Sequence, residues 1–163
     1  LAVQASDLYD LDAVALRYFN VFGSRQDPDG DYAAVIPTFA DRMLEGNRPV
    51  VYGDGEQSRD FIHVDDVVRA NRLAAERDVS GDVLNVGRGV GVTVNDLVDV
   101  MNDQLGTALD PVFEPPRPGD VRRSRADITK ARDRLGFEPQ VSFEEGLDRT
   151  LAGIRERRPS PSR

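Results

Sequence analysis

Apolar positions along the chain form short continuous runs that alternate with stretches of helical period. The runs at 13–16 and 82–86 predict buried strands of a parallel sheet, because such strands carry apolar residues on both faces. Apolar residues three and four positions apart predict amphipathic helices over 33–45, 64–75 and 93–105. Strands that alternate with helices in this way predict an α/β fold.

Turn and capping residues predict where further elements lie. Residues 49–52 predict a short strand, and the prolines within 111–116 limit that segment to an extended edge, since proline cannot donate a ladder hydrogen bond. A short helix is expected over 127–135. Ser142, with a glutamate three positions on, predicts a capping box that opens a last helix to about Arg155.

Other segments carry start signals of different strength. Thr93 stands three residues before Asp96, which predicts the N-cap of the helix over 93–105. Residues 1–9 have the period of a helix but no start signal before it, so we expect the chain to be a fragment of a longer one. A polar loop is expected over 24–31, and a disordered tail with two prolines over 157–163.

The stretch 53–67 combines several chemical signals. A glycine-rich turn leads to Arg59, whose planar guanidinium suits a phosphate or a carboxylate. Asp65 and Asp66 open the next helix, where carboxylates favour an N-cap or helix-dipole role over catalysis. The only histidine, His63, lies in an apolar run, so we expect a packed residue rather than a base or a metal ligand.

Two other positions suggest contact with a ligand. Asn20 follows the predicted strand at 13–16, and ligands of open α/β sheets bind beyond the carboxyl ends of strands, although the turn preference of asparagine alone favours a capping role. Residues 87–91 imitate a dinucleotide-binding loop. Their Gly-x-Gly-x-Gly spacing differs from the Gly-x-Gly-x-x-Gly fingerprint, so we reject this loop as a cofactor site.

The composition limits the possible partners. The chain has 29 Asp and Glu against 21 Lys and Arg, and its net charge of −8 excludes nucleic acid as the main partner. Lys130 is the only lysine and aspartate outnumbers glutamate, a composition that suggests a highly saline cytoplasm. Without cysteine and without an apolar run of membrane-spanning length, we expect a cytoplasmic protein with no disulfide, no metal site and no membrane partner.

Three motifs follow one another along the chain. They are Leu-Arg-Tyr-Phe-Asn-Val-Phe-Gly at 16–23, the stretch 53–67, and Arg-Pro-Gly-Asp at 117–120. With them, residues 1–154 resemble the C-terminal part of the extended short-chain dehydrogenase/reductase family, in particular UDP-glucose 4-epimerases and related sugar-nucleotide epimerases and dehydratases. One such motif alone is a weak signal, whereas three in the family's order are specific.

The resemblance implies a fold and a set of site residues. Over 1–156 it implies the C-terminal portion of a Rossmann-type α/β fold with its small substrate-binding subdomain, without the N-terminal Rossmann part. Cofactor contacts fall on Tyr18 and Phe19. The loop 87–91 becomes a tight turn near the sugar nucleotide. Substrate contacts fall on residues that the family places along the base, the diphosphate and the nucleoside end, namely Asn20, Val50, Val51, Tyr52, Arg59, Arg117 and Asp120.

The resemblance also implies an activity, the NAD-dependent oxidation and reduction of a UDP-hexose at C4. The family's catalytic Tyr-x-x-x-Lys pair is absent from this sequence, so no catalytic residue is assigned and the chain alone is expected to be inactive. NAD is expected to be held mainly by the N-terminal part, and the full-length enzyme to be a homodimer. Two alternatives stay open: a nucleotide-sugar 4,6-dehydratase or decarboxylase of the same family, and a non-catalytic binding or interaction protein.

Overall fold

The computed structural model describes residues 12–26 and 34–158. The helix predicted over 1–9 and most of the loop predicted over 24–31 lie outside the described residues, as do residues 159–163 of the predicted tail.

Strands and helices alternate along the described part of the chain. The strands are β1 (Ala15–Tyr18), β2 (Asn20–Phe22), β3 (Val50–Tyr52), β4 (Ser58–Arg59), β5 (Phe61–His63), β6 (Val83–Val86), β7 (Val92–Thr93) and β8 (Val112–Glu114). The helices are α1 (Val35–Leu44), α2 (Val64–Glu76), α3 (Val94–Leu105), α4 (Thr129–Leu135) and α5 (Phe143–Arg157).

The strands pair in twos, and three of the four pairs among the described residues are parallel. Strand β1 pairs with β6, β2 with β5, and β3 with β8, whereas β4 and β7 run antiparallel. Parallel strands need long connections, and helices supply most of them here. These features confirm the predicted α/β class.

Strand β1 differs from its prediction as a buried strand over 13–16. It begins at Ala15 and runs to Tyr18, whose side chain is 46% exposed. The reason is that β1 pairs only with β6 within the described residues, so one of its edges and part of one face lack a neighbour there.

Helix α2 also packs differently from the apolar face predicted over 64–75. Val67, Ala70 and Ala74 are buried, whereas Val64 and Val68 are 39% and 64% exposed. The predicted apolar face was too wide, because a helix packed against one side of a core buries a single stripe of residues and leaves the neighbouring stripe exposed to solvent.

Two apolar clusters hold the elements together. The smaller one joins α2, β6 and α4 through residues such as Val67, Leu84 and Leu135. The larger one joins α1, α3 and α5 to the strands, and its members include Phe22, Ile36, Phe39, Met43, Val51, Phe61, Leu97, Met101, Phe143, Leu147 and Leu151. Phe61 and Phe143 stack with ring centroids 5.6 Å apart, which fixes α5 against β5.

Several helix ends match their sequence signals. Thr93 and Asp96 form the predicted capping box, and Gly136 ends α4 in the left-handed conformation with φ of +65°. Ser142 Oγ accepts from the Glu145 backbone N–H at 3.0 Å, but the Glu145 carboxylate pairs with an arginine instead of completing the box.

The C-terminal boundary was predicted too early. Arg157 lies within α5, and the Arg158 guanidinium binds Asp41 at 2.5 Å and Glu45 at 3.2 Å on α1. These two residues therefore belong to the folded part rather than to a disordered tail. Among residues 12–26 and 34–158, no helix has the length and apolar character needed to cross a membrane.

Candidate functional site

A cleft of about 650 Å³ lies beside β3, helix α1 and the segment 117–120. The pairing of β3 with β8 brings the segment after β8 next to Tyr52, because both strands run in the same direction and end at the same edge. Six of the predicted substrate residues line this cleft: Val50, Val51, Tyr52, Arg59, Arg117 and Asp120.

Three predicted site residues lie outside the cleft, at the end of β1 and the start of β2. The Tyr18 hydroxyl donates to Asn71 Oδ1 at 2.9 Å, and Tyr18 lines a separate cavity beside α2. The backbone N–H of Phe19 bonds to Val86 O at 2.9 Å, and that of Asn20 to Asp60 O at 3.0 Å. Asn20 therefore lies directly beside Asp60, the residue that follows Arg59.

The base of the cleft is built around an aromatic ring. The Arg117 guanidinium carbon lies 3.9 Å from the centre of the Tyr52 ring, a cation–π contact. Gln57, which is 9% exposed, donates from Nε2 to Tyr52 O at 2.7 Å and fixes the backbone under that ring. Gln57 was not predicted, and its position in a polar turn gave no signal for this role.

Hydrogen bonds and an ion pair fix Arg59 at the cleft. Its Nη1 donates to Ser58 O at 2.8 Å and to Val121 O at 2.5 Å, and its Nη2 pairs with Asp120. Two predicted ligand contacts, Arg59 and Asp120, thus bind each other. The interaction positions the segment 117–120 over the cleft, since Arg59 lies on β4 and reaches across to it.

The glycine-rich turn before β4 packs closely against α3. A Cβ on Gly55 would lie 1.9 Å from Asn95 Oδ1, and Gly55 has φ of +76°, so no other residue fits without displacing its neighbour. Asp54 at the same turn binds Arg122 at 2.7 Å, and this bond lowers the pKa of the Asp54 carboxyl below its ordinary value. The turn and the segment after 117–120 are therefore tied together.

Asp60 is an organising residue that the sequence analysis missed. It is fully buried, and its carboxylate accepts from the backbone N–H groups of Arg88 at 2.7 Å, Gly89 at 2.9 Å and Ala126 at 2.9 Å. The amides of Arg88 and Gly89 are thus unavailable to a pyrophosphate, which agrees with rejecting this loop as a dinucleotide site. The expected tight turn is present, with Gly89 at φ of +74°, and its proximity to a sugar nucleotide stays a prediction.

The other titratable groups of the stretch 53–67 have structural contacts. His63 is 5% exposed, packs edge-on to Phe22, and accepts from the Asp65 backbone N–H through Nδ1 at 3.3 Å, so His63 rather than an aspartate is the N-cap of α2. Burial lowers the pKa of His63, although Asp65 opposes the shift. Asp66 is 1% exposed and accepts from the Gln140 backbone N–H at 2.9 Å.

These contacts match the predicted packed histidine. Asp65 and Asp66 lie in the first turn of α2 as predicted, but neither is its N-cap, and Asp66 instead accepts from a distant backbone segment. Within the part of the chain that the structure describes, no group of three or more His, Asp or Glu side chains could hold a metal ion.

The parallel strand pairs, their helical connections and a cleft at the strand ends are those of a Rossmann-type α/β protein. The chain belongs to the NAD dependent epimerase/dehydratase family, whose model matches residues 1–87.

Proteins of known identity extend this match. The chain is 42% identical to the UDP-glucose 4-epimerase of Mycolicibacterium smegmatis over 91% of its own length and 47% of that protein. It is similar to the crystal structure of UDP-glucose 4-epimerase with UDP-glucose from Thermotoga maritima, at 48% identity and a TM-score of 0.88, over 93% of this chain and 48% of that one.

A third relative is the UDP-N-acetylglucosamine 4-epimerase of Methanobrevibacter ruminantium M1, solved in complex with UDP-N-acetylmuramic acid. The identity is 46% and the TM-score 0.90, over 95% of this chain and 50% of that one. The chain thus spans about half the length of each of these three proteins.

Proposed function

We propose that this chain forms the sugar-nucleotide-binding half of an NAD-dependent epimerase of the UDP-glucose 4-epimerase type. The observation that carries the proposal is the cleft in which Arg117 stacks on Tyr52, with Arg59 in the same lining. Two of the three relatives described above were solved with UDP-sugars, which supports a ligand of the same class here.

The electrostatics of the cleft favour a diphosphate. On a chain of net charge −8, an anionic ligand needs a local positive site, and the Arg117 guanidinium provides it. Arg59 is paired with Asp120, so it would bind the diphosphate after releasing that carboxylate. The aromatic ring of Tyr52 and the neighbouring side chains Val50 and Val51 offer an apolar wall for the base. Asn20 lies outside the cleft at the start of β2 and would position the diphosphate from the side.

In the proposed reaction, NAD would supply reversible hydride transfer at C4 of a UDP-hexose. The described residues fit only part of that cofactor. Tyr18 and Phe19 offer aromatic surface at the end of β1, but the loop 87–91 gives its amides to Asp60. We therefore infer that NAD is held mainly by groups outside the described residues.

The chain as given should not turn over a UDP-hexose. Its single lysine, Lys130, has alanine four positions before it, so the sequence holds no Tyr-x-x-x-Lys pair to move the proton. Turnover of UDP-galactose by the purified chain with added NAD would overturn this inference.

The binding proposal is tested by titrating UDP into the chain by calorimetry. Arg117→Ala should lower UDP affinity by roughly tenfold to a hundredfold, because it removes a charge-assisted contact worth about 1.5–3 kcal/mol. Arg59→Ala should act at least as strongly, since it also frees the segment 117–120. Arg155→Ala is the matched control, since Arg155 is exposed on α5 and has no side-chain partner within the described residues.

Unchanged UDP affinity in both cleft variants would remove these arginines from the site. Equal losses in the cleft variants and in Arg155→Ala would show a general charge effect instead of a local site.

The family also contains dehydratases, so a 4,6-dehydratase or decarboxylase remains the second candidate. The epimerase and the 4,6-dehydratase differ in the product that they form from UDP-glucose. Incubating the whole enzyme with UDP-glucose should give UDP-galactose and no 4-keto-6-deoxy sugar, as followed by proton NMR. UDP binding without any turnover by the whole protein would favour a binding role. The expected homodimer is measured on the same sample by light scattering.

A further inference from the structure

We propose that a second pocket, the Arg88 pocket, binds an oxyanion of the phosphate class. It has a volume of about 380 Å³ and is lined by residues that include Arg88, Gly89, Arg125, Ala126, Asp127 and Arg132. It shares no lining residue with the cleft at Tyr52.

The unmet hydrogen-bonding capacity of Arg88 is the first observation. Its Nη1 is buried and has no hydrogen-bond partner, and the rest of its guanidinium forms no ion pair with any described residue. A buried guanidinium N–H without an acceptor costs free energy. Arg88 is half-buried in the pocket wall, so its other guanidinium nitrogens can meet an anion there.

The walls of the pocket are fixed in advance. The Asp60 carboxylate holds the backbone N–H groups of Arg88, Gly89 and Ala126, which come from both sides of the pocket. A Cβ on Gly87 would lie 2.6 Å from Ala126 Cβ, so glycine allows this close approach. A ligand would therefore meet a preformed site rather than two separate loops.

The charge of the lining favours an anion. Arg132 is neutralised by its ion pair with Glu138, and Asp127 accepts from the Thr129 backbone N–H at 3.0 Å. Arg125 is exposed and has no hydrogen bond or ion pair within 12–26 and 34–158. The pKa of Asp127 is lowered by its hydrogen bonds to Thr129 and by the charge of Arg125. Arg88 is thus the arginine of this lining that has no carboxylate partner among the described residues.

The lining residues suit an anion that presents several oxygens. Arg88 and Arg125 come from separate segments of the chain, and guanidinium N–H groups pair with phosphate oxygens. Inorganic phosphate is the simplest member of this class.

The test follows the backbone amide NMR signals of Gly89 and Ala126 while inorganic phosphate is added at constant ionic strength. In the unmodified chain both signals should move and saturate together. Arg88→Met, which keeps the length of the side chain without its charge, should weaken this binding by about tenfold or more. Arg125→Ala should also weaken phosphate binding. Because Arg125 is exposed, this variant still tests the proposal if Arg88→Met does not fold.

Arg117→Ala is the control that separates the two sites. It should leave the phosphate response of Gly89 and Ala126 unchanged, because Arg117 lies in the cleft. This result does not depend on the proposed function, since a chain that fails to bind UDP can still bind phosphate here. A shift that never saturates, or phosphate binding in both the Arg88→Met and Arg125→Ala variants equal to that of the unmodified chain, would overturn the proposal. Equal binding of acetate would overturn the assignment to phosphate.

Discussion

At the scale of single residues, Arg59 and Asp60 show why neighbours in sequence can differ in how well they are predicted. Arg59 stood out because an arginine after a glycine-rich turn has a recognisable chemistry. Asp60 has no such signal, yet it is the buried acceptor of three backbone N–H groups. Those donors lie 28 to 66 positions away along the chain, so no local pattern could show them.

Replacing Asp60 should destabilise the fold. In Asp60→Asn the amide group can accept through one oxygen only, and at least one buried N–H loses its partner at a cost of about 1–3 kcal/mol. Urea unfolding followed by circular dichroism should show this loss. Asp110→Asn, at an exposed carboxylate without a described side-chain partner, should change stability by less than about 0.5 kcal/mol. Equal stability of the two variants would mean that the Asp60 contacts contribute nothing net.

His63 should make stability depend on pH on the acid side of neutrality. Burial lowers its pKa in the folded chain, so the unfolded chain binds the proton more readily. The stabilisation is therefore present above the unfolded pKa of about 6.5 and is lost as pH falls toward the lower folded value. Protonation of Nδ1 also removes the acceptor that caps α2.

His63→Asn provides the comparison for this prediction. Asparagine can still cap the helix but does not titrate, so stability should fall less steeply over the pH interval that extends downward from about 6.5. Asp65 and Arg149 remain nearby in both proteins. Identical slopes in chemical unfolding across that interval would exclude His63 as the titrating group.

At the scale of elements, the sequence predicted helices better than strands. The helices α1, α3, α4 and α5 have local signals, such as the Thr93 capping box and Gly136, and their bounds lie close to the prediction. The strands are two to four residues long, and tertiary contacts determine which strands pair. Strand β4, with two residues, has no periodic pattern to detect.

The cleft, too, was predicted only in part. Its lining residues came from the family resemblance, and six of them do lie together. The ion pair between Arg59 and Asp120 and the stacking of Arg117 on Tyr52 could not be predicted, because they depend on the β3–β8 register.

Removing the cap of α3 tests a locally encoded element. Thr93→Ala loses the hydrogen bond from the Asp96 N–H to Thr93 Oγ1 at 3.0 Å and should lower stability by about 1 kcal/mol. Thr93→Ser keeps the acceptor and should recover most of this loss. A serine variant as unstable as the alanine variant would assign the effect to the lost methyl group instead of the cap.

At the scale of the whole molecule, the net charge of −8 predicts that salt stabilises the chain. Dissolved ions screen repulsion between acidic groups, so the melting temperature should rise with added KCl and level off as the screening length shortens. Asp99 and Asp103 are exposed four positions apart on α3, and changing both to asparagine should reduce the rise. A melting temperature that falls with KCl would argue against the saline origin suggested by the composition.

The parallel pairing of β3 with β8 has a consequence for how the chain folds. Val51 and Phe113 are partners in that pair although 62 positions separate them, so closing the intervening loop costs entropy before any contact repays it. Both walls of the cleft depend on this pairing, whereas α3 and α5 can form from local signals. In refolding experiments, helical signal should therefore return before the chain regains UDP binding, and the delay between the two would time the assembly of β3 with β8.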